Sequence, residues 1–284
     1  MTSNLRGSLF MTAAMAGFAV EDAFLKQISR SMPVGQAIAL MGLLGIAVFA
    51  GLALQAGDAP VPRAAFTRVM AMRSGFEIAG RLFYALAIAL TPISTASAIL
   101  QATPLVVVLG AALIFGERVT LGRWALILAG FAGVLVILRP GVAGFSPLSL
   151  LASAAMVGFA GRDLATRAAP LGLTNAQLGV AGYVMLLVSG LIIVVATGRA
   201  NIPDGRAMVL LVLGAGFGIL AYAALTTAMR AGEVAVVTPF RYTRLVFAMV
   251  LGGLVFGERP DTATLTGAAI IVASGVFLLS RHRK

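Results

Sequence analysis

Apolar residues fill this chain in runs of about twenty, and polar residues are confined to short gaps between the runs. Ten runs fit, at 8–28, 34–56, 68–90, 93–115, 121–139, 147–167, 175–198, 206–229, 233–256 and 261–280. The runs are continuously apolar rather than alternating, so helices are predicted and strands are not. About 20 helical residues cross about 30 Å of hydrocarbon. Turn-forming residues punctuate the gaps: Gly57, Pro60 and Pro62; Pro140 and Gly141; Pro170 and Gly172; Pro203 and Gly205. No soluble domain fits between them. The pattern predicts an all-α membrane protein of ten transmembrane helices in one integral membrane domain.

The stretch AAMAGFA at 13–19 returns as AAMVGFA at 154–160, an offset of 154 − 13 = 141. The same offset carries Asp22 onto Asp163, Lys26 onto Arg167, Gln36 onto Gln177 and Gly57 onto Gly198. It also carries FGER at 115–118 onto FGER at 256–259. The chain therefore reads as two homologous repeats of five helices, 1–141 and 142–284. Because five is odd, the repeats enter the membrane from opposite sides. They form a 5+5 inverted pair, an architecture that places substrate between the halves near the midplane. The repeat also decides how the N-terminus is read. Arg6, an apolar run and Gly17-Phe18-Ala19 resemble a secretory signal, but a removable address has no reason to recur in mid-chain.

Composition adds exclusions. Of 284 residues 60% are hydrophobic and 11% charged, and the mean hydropathy is +1.01. There is no cysteine, so thiol chemistry and disulfides are absent. The one histidine, His282, lies in a basic tail, so no His-based metal site and no cofactor are expected. The net charge of +11 comes from basic residues scattered singly between apolar runs. That suits loops that set membrane orientation and contact lipid, and no nucleic-acid partner is expected. Ten loop Lys and Arg fall on the N-terminal side against six on the other, which predicts both termini in the cytoplasm. Gly214 and Gly218 form a G-x-x-x-G, which packing inside one protomer explains, and the chain is expected to work as a monomer.

With two five-helix halves, Gly-Glu-Arg after helix 4 and again after helix 9, and TPLVVVLGAALIFGER at 103–118, the chain resembles the drug/metabolite transporter superfamily. It is most similar to the ten-helix EamA-type members. The second half departs from that pattern, because the Pro-to-Glu spacing is 258 − 239 = 19 against 117 − 104 = 13. The resemblance implies transport of small organic solutes across the bacterial inner membrane. Among its members are exporters of amino acids, aromatic ones included, and uptake systems for S-adenosylmethionine.

Charges inside a bilayer are costly and need partners. Nine lie well inside the predicted spans: Glu21, Asp22, Arg73, Glu77, Arg81, Arg162, Asp163, Arg241 and Arg244. Arg73, Glu77 and Arg81 share one helix face. They form either a self-neutralising ladder or a charged cavity wall. Arg244 either pairs with Glu77 or offers its forked donors to a substrate carboxylate. Tyr222 and Tyr242 sit at mid-depth, away from the interfaces where aromatic belts place Tyr. They mark either core or a pocket for an apolar or aromatic solute, with Met15, Phe18, Met156 and Phe159 as further wall. Pro104 and Pro239 are expected to kink helices 4 and 9, with Gln101 beside the first as a neutral polar contact.

Asp22 with Lys26, and Asp163 with Arg167, are expected to form two related acid–base clusters near opposite mouths of a central cavity. They serve either as gating or coupling groups or as salt bridges that steady helix ends. Glu117-Arg118 and Glu258-Arg259 read as stabilisers of the turns they stand in.

The leading reading is a secondary transporter working by alternating access, most simply an amino-acid or metabolite exporter. Uptake of S-adenosylmethionine or a related solute is the alternative. A channel or scaffold is a second alternative. An enzyme is not expected, because neither a Cys nucleophile nor an intramembrane His is present.

Overall fold

The computed structural model describes residues 2–90, 99–138, 147–256 and 261–280, and among these the chain is helical with no strand. The helices are α1 (Ser3–Ile28), α2 (Val34–Gln55), α3 (Arg68–Leu90), α4 (Thr103–Phe115), α5 (Leu121–Leu138), α6 (Ser149–Arg167), α7 (Asn175–Thr197) and α8 (Gly205–Arg230). A ninth span follows as three pieces: an α-turn (Val234–Val237), a 3-10 turn (Thr238–Tyr242) and α9 (Thr243–Phe256). The last helix is α10 (Thr262–Ser280). The expected repeat boundary at 141/142, the Arg139–Gly141 turn, the Glu258-Arg259 pair and the His282 tail lie outside the described residues.

Among the described residues, five segments are both long and apolar enough to cross a membrane: Ser3–Ile28, Val34–Gln55, Asn175–Thr197, Gly205–Arg230 and Val234–Leu254. Helices α3 and α6 carry the internal charges, Arg73, Glu77 and Arg81 on one and Arg162 and Asp163 on the other. Of these five side chains, only Arg81 is more than marginally exposed. The rim is apolar instead, with Leu113, Val195, Leu220 and Leu254 strongly exposed. Such a surface is at ease in hydrocarbon.

The helices start and stop where local chemistry directs. The Thr174 hydroxyl accepts from Gln177 N, and Gln177 Oε1 accepts from Thr174 N, closing a capping box on α7. Asp204 Oδ1 accepts from Ala207 N at 2.6 Å and caps α8. Gly57 and Gly198, equivalent in the two repeats, follow α2 and α7 in the left-handed conformation at φ 78° and 61°. A residue with a Cβ is strained there.

The packing obeys the internal repeat. The main helix pairs are α1 with α8, α3 with α6, α2 with α7 and α5 with α10. Exchanging each helix for the one five positions away returns the same set. Two glutamines establish the inversion directly. Gln36, at the start of α2, donates to Asn201 O and accepts from Asn201 N, just past the end of α7. Its equivalent Gln177, at the start of α7, donates to Ala59 O, just past the end of α2. Each helix thus begins where its counterpart ends, so the two run antiparallel.

In a bilayer, helix association rests on close van der Waals packing rather than on hydrophobic burial. At the α3–α6 crossing a Cβ on Gly158 would stand 2.7 Å from the Gly80 backbone. The equivalent crossing of α1 and α8 sets Gly17 against Ala221.

The fourth and ninth spans are the broken ones. Ile99 and Leu100 are helical, Gln101 and Ala102 form a turn, and α4 restarts at Thr103 with Pro104 in its first turn. Pro239 holds the same place in the 3-10 turn of the ninth span. A proline in a first turn gives up no intrahelical hydrogen bond. Pro104 thus stands at a helix start, and Pro239 stands where the helical backbone of the ninth span changes from α to 3-10.

Candidate functional site: a buried charge cluster at the inter-repeat seam

Where α3 packs on α6, side chains of both helices and Tyr222 of α8 converge on Glu77, which is fully buried. Arg81 Nη2 donates to its Oε1 at 3.0 Å, and Arg162 Nη1 to the same oxygen at 3.4 Å. The Tyr222 hydroxyl donates to Oε2 at 3.2 Å. Arg73, four residues before Glu77, stands 3.8 Å from Oε2. It also donates from Nη2 to the Tyr222 oxygen at 2.5 Å and from Nε to Thr166 Oγ1 at 3.0 Å. A buried carboxylate with this many donors is compensated, and removal of one partner strands a charge.

The cluster continues through Arg162, which donates from Nε to Asp163 Oδ1 at 2.8 Å and lies 5.4 Å over the Phe159 ring. The other Asp163 oxygen accepts a short hydrogen bond from Arg241, on the 3-10 turn of the ninth span. Asp163 is 1% exposed. A gap of about 10 Å³, the room of about one water, is lined by Arg73, Arg162, Asp163, Thr166, Tyr222 and Thr226 among others. Beside it, Tyr183 and Tyr222 meet edge to face at 5.4 Å, and Phe49 lies 5.5 Å from Tyr183.

The second aspartate sits differently. Asp22 Oδ2 accepts from Arg244 Nε at 3.0 Å and from Nη2 at 2.5 Å. The Asp22 side chain is 53% exposed and that of Arg244 37%. The Arg244 guanidinium also lies 5.4 Å over the Phe18 ring. Glu21 turns to the other side, onto Gly218 of α8, where any added side chain would collide with its carboxylate.

Of the residues singled out in the sequence, Glu77, Arg81, Tyr222 and Asp163 come together. Arg73 was visible as part of the helix-3 ladder with Glu77 and Arg81, Arg162 and Arg241 only as intramembrane charges, and Thr166 not at all. Thr166 lies four residues beyond Arg162, on the same face of α6, and that spacing was the available signal.

Several pairings differ from expectation. Asp22 is held by Arg244 of the ninth span, a partner the sequence did not indicate, and Lys26 is exposed in the last turn of α1. Asp163 meets Arg162 and Arg241 rather than Arg167. Both predicted pairs joined neighbours on one helix, whereas the ninth span brings an arginine to each carboxylate, Arg244 to Asp22 and Arg241 to Asp163. Arg244 is joined to Asp22, not Glu77. Tyr242 points away from the cluster and packs with Val134 and Ile271 of α5 and α10. Met15 is core, beside Leu225 and Met229. Phe159 meets Tyr84 edge to face. Met156 and Gln101 are half-buried, Met156 on α6 and Gln101 in the turn before α4.

Glu117 is also placed otherwise than expected. It leaves its own turn and accepts from Val234 N at 3.1 Å and Ala235 N at 3.2 Å, capping the ninth span. Beside it Arg123 pairs with Glu233 at 2.6 Å, and Glu233 N donates to Asn4 Oδ1 at 2.7 Å. The ends of four spans are tied together on the N-terminal side.

A profile of the EamA-like transporter family matches residues 5–139 and again 145–281. Among curated relatives, a riboflavin transporter of Rhizobium johnstonii is 28% identical over 292 residues, covering 98% of this chain and 92% of that protein. A riboflavin transporter of Vibrio cholerae is 28% identical over 194 residues, which is 68% of this chain and 64% of that relative, just under two thirds of its length. An S-adenosylmethionine uptake transporter of Rickettsia felis is 25% identical over 201 residues, 71% of this chain and 67% of that protein. One crystal structure superposes with a TM-score of 0.82 at 22% identity, covering 98% of this chain and 99% of that one. At that identity the likeness is one of fold.

Proposed function

The chain belongs to the EamA-like transporter family, and on that premise we propose that this small-solute transporter works by alternating access. The two five-helix repeats rock against each other around the Glu77 cluster, and the ninth span serves as the moving contact. The observation that carries the reading is the unequal state of two equivalent aspartates. Asp163 is sealed against Arg162 and Arg241, while Asp22 and Arg244 stand half open. Equivalent groups of two repeats in unlike environments are what a rocking pair presents in any one state.

The solute in this reading is an amino acid or a similar zwitterionic metabolite. Glu77 and Asp163 offer carboxylates to an ammonium, and the surrounding arginines offer donors to a carboxylate. The protein lies in the bacterial inner membrane with both termini in the cytoplasm. Arg118, Arg123 and Arg230 gather at the N-terminal end of the bundle, which favours this orientation.

A second reading, a larger aromatic solute such as the riboflavin of two relatives' names, is favoured by the Phe49, Tyr183 and Tyr222 rings beside the cluster.

Proteoliposomes separate these readings. Labelled amino acids, riboflavin and S-adenosylmethionine are offered outside, and in a second series loaded inside. Saturable amino-acid flux with counter-substrate competition is expected, and the two series give its direction. Riboflavin flux alone would replace the first solute by the second. Absence of saturable flux for every small solute overturns the transport reading.

A further inference from the structure

The charge cluster does not balance. Four guanidiniums, Arg73, Arg81, Arg162 and Arg241, are joined there to two carboxylates, Glu77 and Asp163. Adding Glu21, Asp22 and Arg244 leaves five cations against four acids. A positive excess in the interior of a bundle is costly unless something negative answers it.

The excess has an address. Arg73 is 1% exposed, its Nε and Nη2 are engaged, and its Nη1 is buried with no hydrogen-bond partner. Arg73 lines the water-sized gap. Thr166, Thr226 and Tyr222 line the same space with their hydroxyl protons given to Arg162 O, Tyr222 O and Glu77 Oε2, the paired Arg162 and Asp163 line it too, and Leu225 and Met229 add an apolar part. A buried guanidinium nitrogen with free donors, in a net-positive cluster and beside apolar side chains, suits an oxyanion on an organic solute.

We propose that Arg73 receives an oxyanion of the transported solute, which therefore bears a carboxylate or phosphate group. The inference rests on the transport reading above and sharpens it in one respect. The carboxylate receptor is Arg73 at the seam of α3, α6 and α8, and Arg244 is left to hold Asp22. The gap has room for about one water as it stands, so the oxyanion enters as the repeats part and is received by Nη1. Arg, and not Lys, suits the place, because its three nitrogens can hold Thr166 and Tyr222 and still offer Nη1.

The test uses the full chain in lipid nanodiscs, with thermal unfolding followed in rising concentrations of four probes. These are inorganic phosphate, acetate, alanine and the cation ethylamine. The wild-type protein is expected to be stabilised by the oxyanion probes and not by ethylamine. Arg73→Gln is expected to lose the shift. Arg73→Lys keeps the charge but, with one nitrogen, cannot hold Thr166 and Tyr222 and reach the solute together, and its half-saturating concentration is expected to rise about tenfold or more. If Arg73→Gln does not fold, Arg73→Lys decides alone. Stabilisation by phosphate only assigns a phosphorylated solute. Stabilisation by acetate and alanine only assigns a carboxylate.

An equal response to ethylamine, or an unchanged oxyanion response in Arg73→Lys, overturns the proposal. Oxyanion binding without saturable flux would instead overturn the transport reading and leave the receptor standing.

Discussion

Asp22 and Asp163 stand 141 positions apart at equivalent places in the two repeats, and each is held by an arginine of the same span, Arg244 for the first and Arg241 for the second. The fourth span, equivalent to the ninth, carries Leu100 and Thr103 at those positions. The symmetric scaffold is thus latched asymmetrically. A movement of the ninth span acts on both aspartates at once.

The two latches are expected to differ in stability. Asp163→Asn leaves Arg162 and Arg241 buried without their carboxylate, and breaking such a pair costs about 3–5 kcal/mol. Asp22→Asn opens a pair that is half solvated, worth about 0–1 kcal/mol. Thermal unfolding in detergent should show a large fall in Tm for the first and little change for the second. Equal shifts would contradict the assigned environments.

Tyr222→Phe removes the hydroxyl that accepts from Arg73 and donates to Glu77. A cost of about 1–3 kcal/mol is expected, because buried donors and acceptors lose partners. Tyr183→Phe, in the adjoining ring cluster, serves as the comparison and should cost less. Chemical unfolding of both variants in one mild detergent checks the order.

The close crossing of α3 and α6 predicts that Gly158→Val destabilises by about 1–3 kcal/mol, since the added carbons meet the Gly80 backbone. Gly216→Ala meets nothing within 4 Å and should be neutral. Yield of monodisperse protein and Tm report both.

Glu117→Ala withdraws a carboxylate from two backbone donors at the start of the ninth span. Loss of a helix cap costs about 1 kcal/mol. Because this cap ties α4 to the ninth span, the variant should also change the rate of solute flux. Glu117→Gln keeps an acceptor oxygen and should restore part of both.

Fold was legible in the sequence because it rests on length, periodicity and a repeat. Twenty apolar residues state a span whatever their neighbours, and AAMAGFA against AAMVGFA states the symmetry. The site was legible in part. Glu77, Arg81 and Asp163 stood out because charge inside an apolar run is conspicuous. Their partners on other helices did not, because that pairing is decided by which helices meet. Spacing along one helix favoured Lys26 for Asp22, yet Arg244 arrives from 222 residues away. Glu117 shows the same limit, since its two donors lie 117 and 118 residues on. Tyr242 has the depth of a pocket residue, but the 3-10 turn before α9 points it between α5 and α10.

The central claim is that the ninth span must part from the first in every transport cycle. The chain has no cysteine, so Asp22→Cys with Arg244→Cys gives one addressable pair. Replacing both partners strands no charge, and basal flux is expected to persist. Cross-linking the pair with a short bifunctional thiol reagent in proteoliposomes, then releasing it with reductant, tests the claim most directly. The account predicts that flux stops on cross-linking and returns on reduction. Undiminished flux in fully cross-linked protein would contradict it.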